Sequence, residues 1–90
     1  MKNEPMQRGD VVLSKAGRDK GRAFVVFEVV DSDYVLLVDG RLRTLDRPKK
    51  KKRMHLIKGC DARMELNGHL LDADVRRFLT AQGYEIDRKQ

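Results

Sequence analysis

The sequence predicts an all-β domain followed by a short C-terminal helix, and three observations predict it. Through residues 7–45, Val, Leu, Phe and Tyr gather in short runs separated by Gly, Asp and Ser, the pattern of strands and turns. Asp39-Gly40 stands between two of those runs, and an Asp-Gly pair readily takes the positive φ angles of a tight hairpin turn. Beyond Gly59 the period changes: Val75, Phe78 and Leu79 fall at the i, i+3, i+4 spacing of one helix face.

The first strand is expected at residues 10–14, entered from the Arg8-Gly9 turn. Residues 15–22 then form a loop, because Gly17 and Gly21 can take left-handed backbone angles that a Cβ disfavours. Residues 23–30 are the longest apolar run. Their β-branched and aromatic side chains, at Phe24, Val25, Val26, Phe27, Val29 and Val30, favour a strand over a helix. Ala23, Val25, Phe27 and Val29 share one face. Phe24, Val26, Glu28 and Val30 share the other, which is also mostly apolar, so the C-terminal segment is expected to cover part of it.

Asp31-Ser32-Asp33 turns the chain into a strand at 34–38, and the Asp39-Gly40 hairpin leads to a partner strand at 41–45. Leu42 and Leu45 cannot both face inward under strict alternation, which places a bulge or an early strand end near Thr44. Pro48 and the like charges at 49–53 make that stretch a loop or an extended edge segment. Residues 54–57 read as a last short strand. Asp72 as N-cap and Gly83 just past the C-terminus bracket a helix at 73–82. Asn67-Gly68 offers an alternative, as the turn of a second hairpin.

Ninety residues suffice for one domain with a modest core. Hydrophobic residues make up 40% and charged residues 38% of the chain, enough apolar material to fold beneath a highly charged surface. No run approaches the roughly 18 apolar residues that cross a bilayer, and residues 1–5 lead into polar sequence without the apolar stretch of a signal peptide. Cys60 is the only cysteine, so an intrachain disulfide is impossible, and a cytoplasmic location is expected. The 20 Lys and Arg against 14 Asp and Glu leave a net charge of +6, which favours polyanionic partners. The excess is local: from Arg41 to Lys58, nine cations stand against one acid, Asp46, for a net +8, so the remainder of the chain sums to −2.

Arg8-Gly9-Asp10-Val11-Val12-Leu13-Ser14, the loop Lys15-Ala16-Gly17-Arg18-Asp19-Lys20-Gly21-Arg22 and the β-run Ala23-Phe24-Val25-Val26-Phe27-Glu28-Val29 together resemble the KOW motif. That motif occurs in several large-subunit ribosomal proteins and some transcription elongation factors. The combination carries the likeness: a Gly-Asp entry to a strand, a Gly-Arg-Asp-Lys-Gly-Arg loop, and a long β-run after it. Many KOW motifs have a further glycine where this chain has Phe24. In that departure it is similar to the ribosomal proteins whose second strand is apolar on both faces. The stretch from Leu36-Leu37-Val38-Asp39-Gly40 to Arg53 resembles the same subgroup, where a short hairpin precedes a lysine-rich segment. The resemblance implies an SH3-like five-stranded β-barrel over residues 7–58 and an RNA-facing loop at 15–22. It does not extend past Gly59, and residues 59–90 are expected to form a C-terminal extension that carries the helix.

The expected RNA-binding residues are Lys15, Gly17, Arg18, Lys20, Gly21 and Arg22 in the loop, with Arg41, Arg43, Arg47, Lys49, Lys50, Lys51, Lys52 and Arg53 in the basic segment. Two glycines let the backbone approach a phosphate, and the cations neutralise it. The bland reading of 49–53 is a solvated loop that binds any polyanion weakly. Phe27 and Phe78 lie on core faces and Phe24 is covered, which leaves Tyr34 and Tyr84 as stacking platforms. A chain rich in cations and poor in free aromatics suits helical RNA held by its phosphates. Cys60, His55, His69 and Asp61 lack the paired spacing of a zinc site, so no metal or cofactor is expected. No Ser or Cys nucleophile has a nearby base on a recognisable turn, so the chain is not expected to be an enzyme. The expected function is a non-catalytic, monomeric module that clamps structured ribosomal RNA away from any membrane. The alternative is a protein-interaction module of the transcription or translation machinery.

Overall fold

The computed structural model describes residues 6–84. Five strands, β1 (Asp10–Ser14), β2 (Ala23–Val29), β3 (Tyr34–Val38), β4 (Lys49–Lys52) and β5 (Leu56–Arg63), precede one helix, α1 (Asp72–Ala81). The strands form a single antiparallel sheet in the order β4-β3-β2-β1-β5. The expected mostly-β fold with a C-terminal helix is what the chain forms. The sheet is not closed: β4 and β5 are its edges, and no ladder joins them among the described residues.

Register makes β2 the centre of two cores. Val11 lies opposite Val25, Leu13 opposite Ala23, and Val25 opposite Val38, so these side chains share a face. There Met64, Val75 and Leu79 complete a buried cluster, with Phe27, Phe78 and Tyr84 packed around it. On the opposite face Val12, Phe24, Val26, Val35, Leu37 and Leu56 bury one another. Truncating a fully buried residue such as Leu79 to Ala would cost about 2–5 kcal/mol. From Ala23 to Phe27 the apolar run of β2 is therefore core on both sides, as its composition implied, while Val29 and Val30 at its end are exposed. The cover is on the other side from the expected one: α1 lies over the Ala23, Val25 and Phe27 face, while Phe24 and Val26 are enclosed by the sheet's own side chains. A run that is apolar on both faces does not say which face a helix will take.

Asp39-Gly40 does not turn a hairpin, and residues 41–45 carry no strand. The partner of β3 is β4, with Leu37 opposite Lys49 and Tyr34 opposite Lys52. The Asp39 carboxylate instead accepts the Arg41 and Arg43 N–H groups, both at 2.9 Å, which satisfies the backbone locally and bends the chain towards α1. Gly40 (φ +80) then packs so closely that a Cβ would stand 2.4 Å from the Asp72 carbonyl oxygen. Arg76 Nη1 donates to Gly40 O at 2.5 Å, and Leu45 N–H donates to Asp72 Oδ1 at 2.8 Å.

Asp72 is thus occupied by the 39–45 loop and is not the cap of α1. Leu71 precedes the helix, and its N–H donates to Asp74 Oδ2 at 3.0 Å. Gly83 closes the other end as expected: its N–H bonds Thr80 O at 2.9 Å while Tyr84 N–H bonds Leu79 O at 3.0 Å, a Schellman pair. The last strand starts later and runs further than the apolar signal at 54–57. Residues Arg53–His55 form a 3₁₀ turn, and the β5 ladder to β1 ends where Arg63 meets Asp10, whose carboxylate it pairs with at 2.9 Å. Asn67-Gly68 turns the chain with Asn67 Oδ1 accepting the His69 N–H, and no second hairpin follows.

Candidate nucleic-acid interface

The 15–22 loop leaves β1 at Ser14 and returns to β2 at Ala23 through a 3₁₀ turn at Gly17–Asp19. Gly17 (φ +76) and Gly21 (φ +87) hold the left-handed angles that the loop sequence called for. Short backbone bonds close it: Gly21 N–H to Ser14 O at 2.9 Å, Arg22 N–H to Asp19 O at 2.8 Å and Ser14 N–H to Arg22 O at 3.0 Å. The turn exposes Lys15, Gly17, Arg18, Lys20 and Gly21 and leaves Arg22 half-buried. It points Asp19 inward, where the residue is 7% exposed.

Asp19 meets β4 there. Strand alternation places Lys49 and Lys51 on the face of Leu37 and Val35, and Lys50 and Lys52 on the face of Leu36 and Tyr34. Lys49 Nζ lies 2.9 Å and Lys51 Nζ 3.8 Å from Asp19 Oδ2, and Lys51 Nζ also donates to Ala16 O at 3.0 Å. Burial by itself would raise the Asp19 carboxyl. The hydrogen bond and charge of Lys49, joined by the charges of Lys51 and Arg43, outweigh that penalty and hold it below the usual carboxylate range. The loop is thereby fastened to the edge strand. Lys51 compensates Asp19 within the fold, its side chain only 10% exposed.

Across the strand, Lys50 Nζ sits 4.7 Å over the centre of the Tyr34 ring, and Lys52 is exposed. Arg53 is tied to the turn between β2 and β3, with its N–H on Asp33 O at 2.8 Å and Nη1 on Ser32 O at 3.2 Å. Arg43 is half-buried near Asp19, while Arg41 and Arg47 are exposed. Among the described residues, Lys15, Arg18, Lys20, Arg41, Arg47 and Lys52 have no carboxylate partner, so their charges are available to a ligand.

The fold therefore brings the loop and the basic segment together at Asp19, and it divides the four lysines of β4 between two faces. Asp19 was not among the expected site residues, although an acid set between cations in a glycine-bounded loop was a legible signal. Tyr84 is not a stacking platform: its Oη donates to Gly59 O at 2.7 Å, and burial, with the Cys60 thiol beside it, pushes the phenol above its usual value. Tyr34 is half-buried and lies under Lys50. No helix among the described residues is long and apolar enough to cross a membrane.

A five-stranded antiparallel module with a glycine-bounded cationic loop, a lysine edge strand and a C-terminal helix is a KOW-like module of the ribosomal kind, the class its motif resembles. The large ribosomal subunit protein eL14 of Pyrobaculum arsenaticum is 32% identical over 77 residues, covering 83% of this chain and 72% of the relative. The chain belongs to the family of large ribosomal subunit protein eL14. No family model matches it.

Proposed function

We propose that this chain is a non-catalytic RNA-binding protein of the large ribosomal subunit that holds helical ribosomal RNA by its phosphates. The observation that carries the reading is the Asp19 carboxylate joined to Lys49 at 2.9 Å, because that bond sets the 15–22 loop beside the basic edge strand. Lys15, Arg18 and Lys20, with the open backbone at Gly17 and Gly21, form one phosphate-contacting element. Arg41, Arg47, Lys50 and Lys52 form a second, and Arg22, Arg43 and Arg53 add to the field between them. Lys49 and Lys51 act as positioning residues. Kinship with a protein named for the large ribosomal subunit supports ribosomal RNA as the ligand, translation as the process and the cytoplasm as the place.

The strand order and the 3₁₀ turn linking β4 to β5 support an SH3-like barrel left open between its edges. In this reading residues 7–58 carry the interface, and the C-terminal extension that starts at 59 contributes the end of β5 to the sheet and braces it through α1; its last residues, 85–90, lie outside the described residues. The test is filter binding of the full chain to a large-subunit ribosomal RNA fragment over a salt series. Each neutralised phosphate adds roughly 0.7–0.9 to the log–log slope, so affinity should fall steeply between about 50 and 200 mM salt. Absent or salt-insensitive binding contradicts the proposal.

A further inference from the structure

Two large apolar side chains are exposed within the basic stretch from Arg41 to Lys58: Met54 is 68% and Ile57 45% exposed. Neither belongs to a loose segment. The turn at Arg53–His55 is pinned at both ends, by Arg53 N–H on Asp33 O at 2.8 Å and by Lys15 N–H on His55 O at 2.7 Å. Leu56, 5% exposed, anchors the chain between the two residues, and Ile57 is held opposite Leu13 in the β5 to β1 ladder. Lys52 and Arg53 precede Met54 in the chain, and the bond to His55 brings Lys15 to the same turn.

An exposed apolar pair among cations suits a partner that offers apolar surface between negative charges. An apolar protein face would strip water from those cations and return no counter-charge. An RNA helix returns it: its shallow groove displays ribose and base edges between two rows of phosphates. We propose that Met54 and Ile57 form an apolar RNA contact, seated against ribose and base edges in the shallow groove while Lys15 and Lys52 reach the flanking phosphates and Arg53, held on Ser32 O, adds its charge. Met and Ile are among the apolar side chains that DNA-binding proteins bring into the minor groove, and the unbranched thioether of Met54 adapts to an irregular surface such as the shallow groove of RNA. This inference rests on the RNA-binding reading above.

The experiment compares the full chain with a Met54→Gln/Ile57→Thr variant, binding an RNA hairpin with a continuous stem over a salt series. An apolar contact releases no counterions. The variant should therefore bind roughly tenfold more weakly at every salt concentration, giving a line parallel to wild type, with an unchanged melting temperature. A Lys50→Gln/Lys52→Gln variant should change the slope instead. If the double variant melts early, Met54→Gln and Ile57→Thr are measured singly. Unchanged affinity overturns the inference and leaves the RNA-binding reading standing, as does a variant that binds RNA normally but fails to join large subunits, which assigns the pair to a protein neighbour. A changed slope overturns it by making the site electrostatic. Failure of the wild type to bind the hairpin removes both readings.

Discussion

Asp19 is 7% exposed, and a carboxylate buried that far is tolerated because Lys49 and Lys51 compensate it. Replacing it with Asn keeps the shape and removes the counter-charge, which leaves the Lys51 ammonium, 10% exposed, facing a neutral amide. The Asp19→Asn variant is expected to lose about 1–3 kcal/mol of stability at neutral pH, read from denaturant melts. The sign with pH follows from the depressed carboxyl. The stabilisation is complete above the unfolded-state value of about 4 and disappears as the pH falls through the lower folded-state value. Wild type and variant should therefore converge in acid, and a gap of constant size across the range would contradict the pairing. The charges at this site were legible residue by residue, and their connection was not. Counting cations in the 49–53 run gives their sum, whereas their direction depends on a strand register that only the fold supplies.

The edge strand β4 shows what that register does. Four lysines in succession look alike in sequence, yet alternation commits Lys49 and Lys51 to the fold and leaves Lys50 and Lys52 towards solvent. Lys50→Gln/Lys52→Gln is expected to flatten the salt slope of RNA binding by about 1.5 while leaving the melting temperature in place. Lys49→Gln/Lys51→Gln is expected to lower the melting temperature. Equivalent behaviour of the two pairs in both assays would show that the lysines are a solvated run after all. The extended edge segment at 49–53 was legible, since Pro48 and the charges suit an edge. The expected hairpin does not form because Asp39-Gly40 serves tertiary contact: the Asp39 carboxylate curls the loop, and Gly40 gives α1 room to dock. Gly40→Ala, which pairs φ +80 with a Cβ 2.4 Å from Asp72 O, is expected to cost about 2 kcal/mol or more. Hydrogen exchange should show the loss first in α1, and a variant as stable as wild type would remove this account of the helix's seat.

For the molecule as a whole, β1, β2, β3 and the helix were legible because apolar periodicity reports burial directly, from Val11 and Val12 through Val25 and Val26 to Val75 and Leu79, whereas β4 carries no apolar residue to report. Which side α1 covers was not legible, because Phe24 and Val25 are equally apolar and only the shape of the sheet separates them. A net +8 from Arg41 to Lys58 lies on a chain whose aromatics are taken up by its cores or, at Tyr34, set half-buried under Lys50, so phosphate contact and not base stacking should dominate. The most direct measurement is competition, at fixed salt, between a hairpin-rich fragment of large-subunit ribosomal RNA and a poly-pyrimidine strand of equal length. The hairpin fragment should win, with little dependence on its base sequence, and Tyr34→Ala should matter less than loss of Arg18 or Lys20. Equal or tighter binding of the single strand would contradict the phosphate-held mechanism.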